Sequence, residues 1–583
     1  MQTALRVGNG DLPHVDFHEP YTGGLAYFNA GVLSIFGESM ASLRWPFLLA
    51  AVFWVISLSL ITRRFIPPVA ASLLVSSLAL GSVLLHMSPI PSWYNLFLGT
   101  WSIHLALRYV ETDRAGFLVA SGALVGLSTL LKTTGVYFGM AVWVILLVAL
   151  ASRRGWRGRK VELALASLPV IVSIFIVSAE MTIARFVALV LPIATVVTLG
   201  VGVASKPDST AKARAASRKP LGLLLAAASI PLLAWFAGYA VQGNSQDLVT
   251  ALLVVPSSFV GALSLDNVHP LFLLVPAAAI LSIRIVASWP PRQFRFAIPL
   301  LLLGLGFLYQ LERASLLSWA LVSVTSLGLV AAMLFWIQVK KVDLSKPADL
   351  ALFAVTCGAV FFTLIEFPHA GPFYYLYAFP LAAVATAGWS FRFGLKHGYM
   401  AVGLFVVLSL VFGANKLSGG WFADATTAVE RPHVSLQLEG FGLRVPTHYQ
   451  FYESLVADIN ERVHEGQRVL AGPDSPEIYA LTTADNPTPI LFELISRSID
   501  PIYASVSQLQ IHRPELYVLN SKPIASNGVP ELRAALSDCE LQATYGFYEL
   551  YECSWGSSNR HGQALMGLAF PYSGVPLINR EQG

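Results

Sequence analysis

Charge is what this sequence lacks most. Of its 583 residues only 12% are Asp, Glu, Lys or Arg, against 55% hydrophobic, where an ordinary soluble domain carries about 25% charged residues. Together with a mean hydropathy of +0.62, that deficit excludes a soluble protein; this is an integral membrane protein. Cysteine is nearly absent too. Cys357, Cys539 and Cys553 exclude a disulfide-rich scaffold and show no metal-ligand spacing. The net charge of +4 is small and sits in short loops, so it speaks to topology rather than to nucleic acid. No run in the first forty residues is apolar enough for a signal peptide, so the spans themselves must direct insertion.

Apolar stretches dominate the chain up to about residue 415. Crossing roughly 30 Å of hydrocarbon takes about 17 to 25 residues. Candidates lie at 45–62, 69–87, 93–110, 116–131, 134–151, 161–179, 183–204, 220–242, 270–289, 296–311, 315–338, 350–366, 373–390 and 399–415. That is about fourteen spans, an all-α polytopic bundle. Basic loops at Arg153–Lys160, Lys206–Lys219 and Lys340–Lys346, with weaker ones at Arg63–Arg64, Arg292–Arg295 and Arg392–Lys396, are separated by even numbers of spans. All can therefore lie in the cytoplasm together, as the positive-inside rule requires. Residues 1–44 and everything after Asn415 then face outward.

The first 44 residues hold the densest chemistry. Asp11, Asp16 and Glu19, with His14 and His18 among them, precede Leu25, Phe28, Val32, Ile35 and Phe36 at helical spacing. A helix of this kind, too short to span, is expected to lie along the membrane surface and hold the acidic loop against it. The plain alternative is a solvated segment whose acids merely avoid lipid.

The run from Gly10 through Pro13, Asp16, Phe17, Glu19 and Pro20, then Phe36, Gly37, Glu38, Ser39, Leu43 and Arg44, resembles the first outer loop of the GT-C superfamily. These are polytopic glycosyltransferases that use lipid-phosphate sugars, including protein O-mannosyltransferases, the aminoarabinose transferase of lipid A and bacterial relatives. In the family an Asp just after a first membrane helix is the usual base. This chain begins at Met1 without that helix or Asp, so it is expected to lack the beginning of the functional fold or to use Asp16 instead.

The resemblance implies a sugar moved from a polyprenyl-phosphate donor to an extracytoplasmic acceptor: a lipid, a glycan or a protein. A carboxylate must take the acceptor's proton, and Asp16, then Glu19, are the candidates. Cations must stabilise the departing phosphate, and Arg44 and Lys132 are the candidates there. Lys132 stands in a GLSTLLKTTG run (Gly126–Gly135) similar to one common in the superfamily; a lysine snorkelling at a turn is the alternative. Glu366 and His369 end an outer span before Tyr374, Tyr375 and Tyr377, which is similar to the family's aromatic opening of a late span, and both are candidates to line the site. In SPIPSWYNLF (Ser88–Phe97), where some members carry a second acid, this chain has Trp93, Tyr94 and Asn95, and the aromatics read as interface anchors. Some members use a divalent metal; no ligand set here argues for or against one.

After Asn415, Asp, Glu, Asn and Pro return. A helix at Phe451–His464, strand-like pieces at Arg468–Ala471, Glu515–Asn520 and Ala543–Trp555, and a helix at Pro530–Ser537 predict a small extracytoplasmic α/β domain. It shows no nucleophile motif, phosphate loop or metal cluster. Cys539 and Cys553 in it are a candidate disulfide. The expected division is 1–44, 45–415 and 416–583. Two rivals stay open: a catalytically inactive relative serving in assembly or binding, and a transporter or flippase, which would more often show repeats and mid-membrane acids.

Overall fold

The computed structural model describes, in the main, residues 1–84, 87–154, 159–178, 185–204, 219–253, 342–367, 372–417, 449–463, 469–473, 475–482, 511–521 and 529–555, with short pieces between them. The candidate spans 270–289, 296–311 and 315–338 fall almost wholly outside the described residues, as do His369 and the basic loop from Lys206 to Arg218. The chain divides into two compact units, Thr3–Thr447 and His448–Gly583.

The first unit is helical: α1 (Gln2–Gly8), α2 (Gly24–Phe36), α3 (Met40–Thr62), α4 (Pro68–Gly81), α5 (Pro91–Thr112), α6 (Ala115–Leu131), α7 (Val136–Arg154), α8 (Arg159–Ser178), α9 (Leu191–Ala204), α10 (Lys219–Val241), α11 (Ser245–Leu253), α12 (Pro347–Phe362), α13 (Pro372–Arg392) and α14 (Leu395–Leu417). Every apolar stretch predicted as a span up to residue 242 and from 350 onward overlaps one of these helices, although α4 ends at Gly81 short of the predicted 69–87 and α9 begins only at Leu191 within the predicted 183–204. Among the described residues, four segments are long and apolar enough to cross a membrane: Met40–Thr62, Thr133–Ser152, Lys219–Val241 and Pro347–Glu366. The others are shorter, or are diluted by polar residues, as α5 is by Asn95, Ser102 and His104. Proline sits in the first turn of α4, α5 and α12, where its missing N–H costs nothing. The Ser39 hydroxyl accepts from the Ser42 N–H at 3.1 Å and caps α3.

Burial separates centre from periphery. The window in Pro347–Glu366 is 94% buried and that in Thr133–Ser152 is 83% buried, against 17% for Lys219–Val241, so α12 and α7 form the centre and α10 presents most of its surface outward. Even so, α10 lies close against α6. A Cβ on Gly122 would come within 2.6 Å of the Leu224 carbonyl oxygen, and one on Gly126 would collide with the Ala228 carbonyl. This pair of glycines four residues apart lets two backbones touch, the usual device for helices that lack a hydrophobic drive to associate. A buried bond from the Ser121 hydroxyl to the Ser102 carbonyl, 2.9 Å, ties α6 to α5. Arg392 of α13 pairs with Asp349 of α12, which leaves the acid only 10% exposed.

The predicted surface helix forms as α2, but its apolar residues divide between two faces. Leu25, Val32 and Leu33 are buried with Asn29, whereas Phe28, Ile35 and Phe36 are exposed. Beside a membrane both protein and lipid are apolar, so one sequence stripe can serve two surroundings.

Short strands β1 (His433–Ser435) and β2 (Arg444–Pro446) pair antiparallel. The second unit holds a sheet of order β3-β4-β6-β5, from β3 (Val469–Gly472), β4 (Leu516–Asn520), β5 (Cys539–Tyr545) and β6 (Tyr548–Cys553). The β3–β4 pair is parallel and the rest antiparallel. Residues of β4 alternate in period two: Leu516 and Val518 join one apolar cluster, Tyr517 and Leu519 another. Leu455 and Ile459 of a helix at Phe451–Arg462 cover the first face, and Leu532 of the Val529–Ala535 helix covers the second. The predicted α/β unit is thus present. The aromatic alternation after Ala543, read as one strand, is instead the end of one strand and the whole of the next, turning at Gly546 with φ of 59°. Cys539 and Cys553 are bonded and oppose one another in the β5–β6 register. Cys357 is a buried thiol.

Candidate functional site

The loop between α1 and α2 folds through its own polar groups. Arg6 pairs with Asp11 at 2.6 Å and its guanidinium lies 4.9 Å from the ring centre of Phe17, which is fully buried. The Asp16 carboxylate accepts from the Leu12 N–H at 2.7 Å while the Asp16 N–H bonds the Leu12 carbonyl at 2.9 Å. Asp16 therefore closes a tight turn and remains exposed. The Tyr239 hydroxyl of α10 donates to the Pro13 carbonyl at 2.8 Å and anchors that turn. Three residues on, the chain turns inward. Glu19 is half-buried and accepts from the Tyr21 N–H at 3.3 Å. Burial pushes its carboxyl up to about 7, against a smaller downward effect of that N–H.

Tyr21 and Thr22 bring the loop onto the end of α6. The Thr22 hydroxyl donates to the Leu130 carbonyl, and Gly24 lies so close that a Cβ would strike the same oxygen. Two residues later α6 stops at Lys132, whose backbone is extended, φ −163° and ψ 138°. Its ammonium donates to the Ser92 hydroxyl at 3.0 Å and stands 5.1 Å from the Tyr21 ring centre and 5.2 Å from that of Tyr374. A cation between two aromatic faces is held electrostatically, and burial lowers the Lys132 amine to about 8. Tyr374 leads to Tyr377, ring centres 6.1 Å apart, and Tyr377 meets buried Trp93 edge-on at 4.7 Å. Glu366, fully buried at the end of the α12 segment, lies within electrostatic reach of Tyr374 and Tyr377.

The predicted residues thus separate. Lys132 lies against the Tyr21 and Tyr374 rings, with Glu19 within electrostatic reach of Tyr21 and Glu366 within reach of Tyr374 and Tyr377. Asp16 and Arg44 do not join them: Asp16 is spent in its turn, and Arg44 is exposed in the second turn of α3. His369 lies outside the described residues. Sequence reasoning missed Tyr21, though it stood between the flagged acid and the flagged helix. It missed Ser92, one residue before the aromatics read as anchors. It also passed over Arg185, 3% exposed and 5.7 Å from the Phe367 ring centre, although a cation opening an apolar run was visible. Among the described residues no group of three His, Cys, Asp or Glu side chains is placed to hold a metal ion.

Residues 22–179 match the family described as dolichyl-phosphate-mannose-protein mannosyltransferase. That segment, well under half of the chain, is similar to a family of membrane glycosyltransferases. The matched segment contains Ser92 and Lys132, begins just after Glu19 and Tyr21, and stops far short of Tyr374. No curated protein matches the chain. Among solved structures, ArnT from Cupriavidus metallidurans bound to undecaprenyl phosphate is similar over 94% of this chain and 91% of its own, at 12% identity and a TM-score of 0.33. The oligosaccharyltransferase AglB from Archaeoglobus fulgidus, in complex with an inhibitory peptide and a dolichol-phosphate, is similar over 96% of this chain and 70% of its own, at 12% identity and a TM-score of 0.34. At such scores these likenesses decide neither fold nor chemistry. The likeness to the mannosyltransferase family rests on residues 22–179.

Proposed function

We propose that this chain is a GT-C glycosyltransferase, transferring a sugar from a polyprenyl-phosphate donor to an extracytoplasmic acceptor, with Lys132 facing the donor phosphate. The observation that carries this is the Lys132 ammonium, which lies inside the family-matched segment and is held at one end of α6 by Ser92 and by the rings of Tyr21 and Tyr374 from outside that segment. In the reaction an acceptor oxygen forms a bond to the sugar's C1 while the bond from C1 to the phosphate oxygen breaks. The acceptor's proton passes to a carboxylate, and the polyprenyl phosphate leaves with the bonding pair. Its growing negative charge is what Lys132 offsets. Glu19 suits the base better than Asp16, because it is half-buried, accepts from the Tyr21 N–H and is poised near neutral pH. Glu366 supports the tyrosine side of the cluster. The outward placement of residues 1–44 and 416–583, on either side of a spanning region 45–415, belongs to the same proposal and is supported by the parity of the basic loops.

The test is transfer itself. Purified chain in liposomes is given a polyprenyl-phosphate sugar and release of polyprenyl phosphate is followed. Glu19→Gln should lower the rate by about 10² to 10⁴. Donor crossing the bilayer without release of polyprenyl phosphate would instead identify a flippase, and binding without either would identify an inactive relative.

A further inference from the structure

Asn95 lies fully buried on α5, three residues after Ser92 and so on the same face of the helix. Its side chain makes three hydrogen bonds, all to the segment around Lys132. Its Oδ1 accepts from the Ser128 hydroxyl at 2.9 Å. Its Nδ2 donates to the Thr134 hydroxyl at 2.8 Å and to the Lys132 carbonyl at 3.2 Å. That carbonyl belongs to the residue where α6 breaks, and it also accepts from the Gly135 N–H at 2.9 Å. One face of α5 therefore grips Lys132 twice, its main chain through Asn95 and its ammonium through Ser92. Fixing the main chain sets the direction in which the side chain leaves the helix end. Without that constraint an extended lysine has many rotamers, and only some place its ammonium between Tyr21 and Tyr374.

We propose that Asn95 is a positioning residue for donor recognition, acting through the backbone of Lys132 to aim its ammonium at the donor phosphate. This rests on the reading of Lys132 given above. Sequence reading saw only an amide where some relatives carry an acid; its function follows from what it bonds, not from where it aligns. Outer-shell partners that orient a ligand-binding group are commonly worth about 10- to 100-fold in affinity or activity, and the lower figure is expected here because Ser92 still holds the ammonium.

The test is binding of undecaprenyl phosphate, without sugar, to the full chain in detergent. Asn95→Ala should weaken binding about tenfold, and the Asn95→Ala/Lys132→Ala double variant should bind no more weakly than Lys132→Ala alone, because Asn95 has no route to the phosphate except that lysine. Ser121→Ala removes a buried bond between the same two helices away from the site; it should lower the melting temperature and leave affinity unchanged. If Asn95→Ala does not fold, Thr134→Val, which removes one partner of the Asn95 amide, decides by the same pair of measurements with about a threefold loss. Unchanged affinity in the folded variant, or losses that add to those of Lys132→Ala, would overturn the role of Asn95 alone. Unchanged affinity in Lys132→Ala would overturn the reading beneath it as well.

Discussion

A narrow pH profile follows from the two groups set facing the reaction. Glu19, pushed up to about 7 by burial, serves as base only when ionised, so its contribution rises with pH through that value. Lys132, brought down to about 8 by burial, stabilises the phosphate only when protonated, so its contribution falls as pH passes that value. The product of the two fractions peaks near the midpoint, about pH 7.5, where about three-quarters of each group is in its working form. At pH 6 or pH 9 one group is about 9% in its working form, so kcat/KM should be about one-sixth of its maximum on either side. The assay is release of polyprenyl phosphate at limiting donor, where kcat/KM reports groups of the free enzyme. Glu19→Gln should abolish the acid limb along with most of the rate. Lys132→Arg, always charged, should keep the acid limb and lose the basic one. A wild-type profile flat from pH 5 to 9, or an acid limb surviving in Glu19→Gln, would refute these roles.

Three further predictions concern the scaffold. Gly126→Leu should sharply reduce the yield of folded chain in fluorescence-detected size exclusion, since the Ala228 backbone it meets cannot move aside; overpacking costs about 1–3 kcal/mol or more, while Gly116→Ala, in open space, should be neutral. Membrane-impermeant thiol labelling of intact cells should reach Asn9→Cys and Glu531→Cys and spare Ala215→Cys; the reverse pattern would overturn the topology. Mass spectrometry of chain purified without reductant should find Cys539 joined to Cys553 and a thiol at Cys357, and a Cys539→Ser/Cys553→Ser variant should make the second unit easier to proteolyse, since closing a loop of this size contributes about 3 kcal/mol.

Much of the helical frame was legible because membrane solvation demands long apolar runs, and charge is cheap only between them. The sheet of the second unit was legible for a related reason, since its strands alternate and its turns carry Gly and Pro. Which acid faces inward was not. Asp16 and Glu19 differ by three positions, and only the folded loop shows that Asp16 closes a turn with Leu12 while Glu19 is half-buried beside Tyr21. Lys132 stood out as a charge at a helix break, but Tyr21 and Tyr374, more than half the chain apart, reveal themselves as its partners only in three dimensions. The face of α2 escaped as well: hydrophobic spacing marks a helix, and cannot say which apolar neighbour is protein and which is lipid.

Whether the donor phosphate meets Lys132 is tested most directly by photo-cross-linking with an undecaprenyl phosphate carrying a reactive group on its first isoprene unit, mapped by mass spectrometry on the full chain. Labels are expected on Tyr21–Thr22, Ser92–Asn95, the Lys132–Thr134 turn and Tyr374–Tyr377, all competed by unmodified undecaprenyl phosphate and lost in Lys132→Ala. Competable labels confined to other helices, with these four segments clean, would contradict that contact.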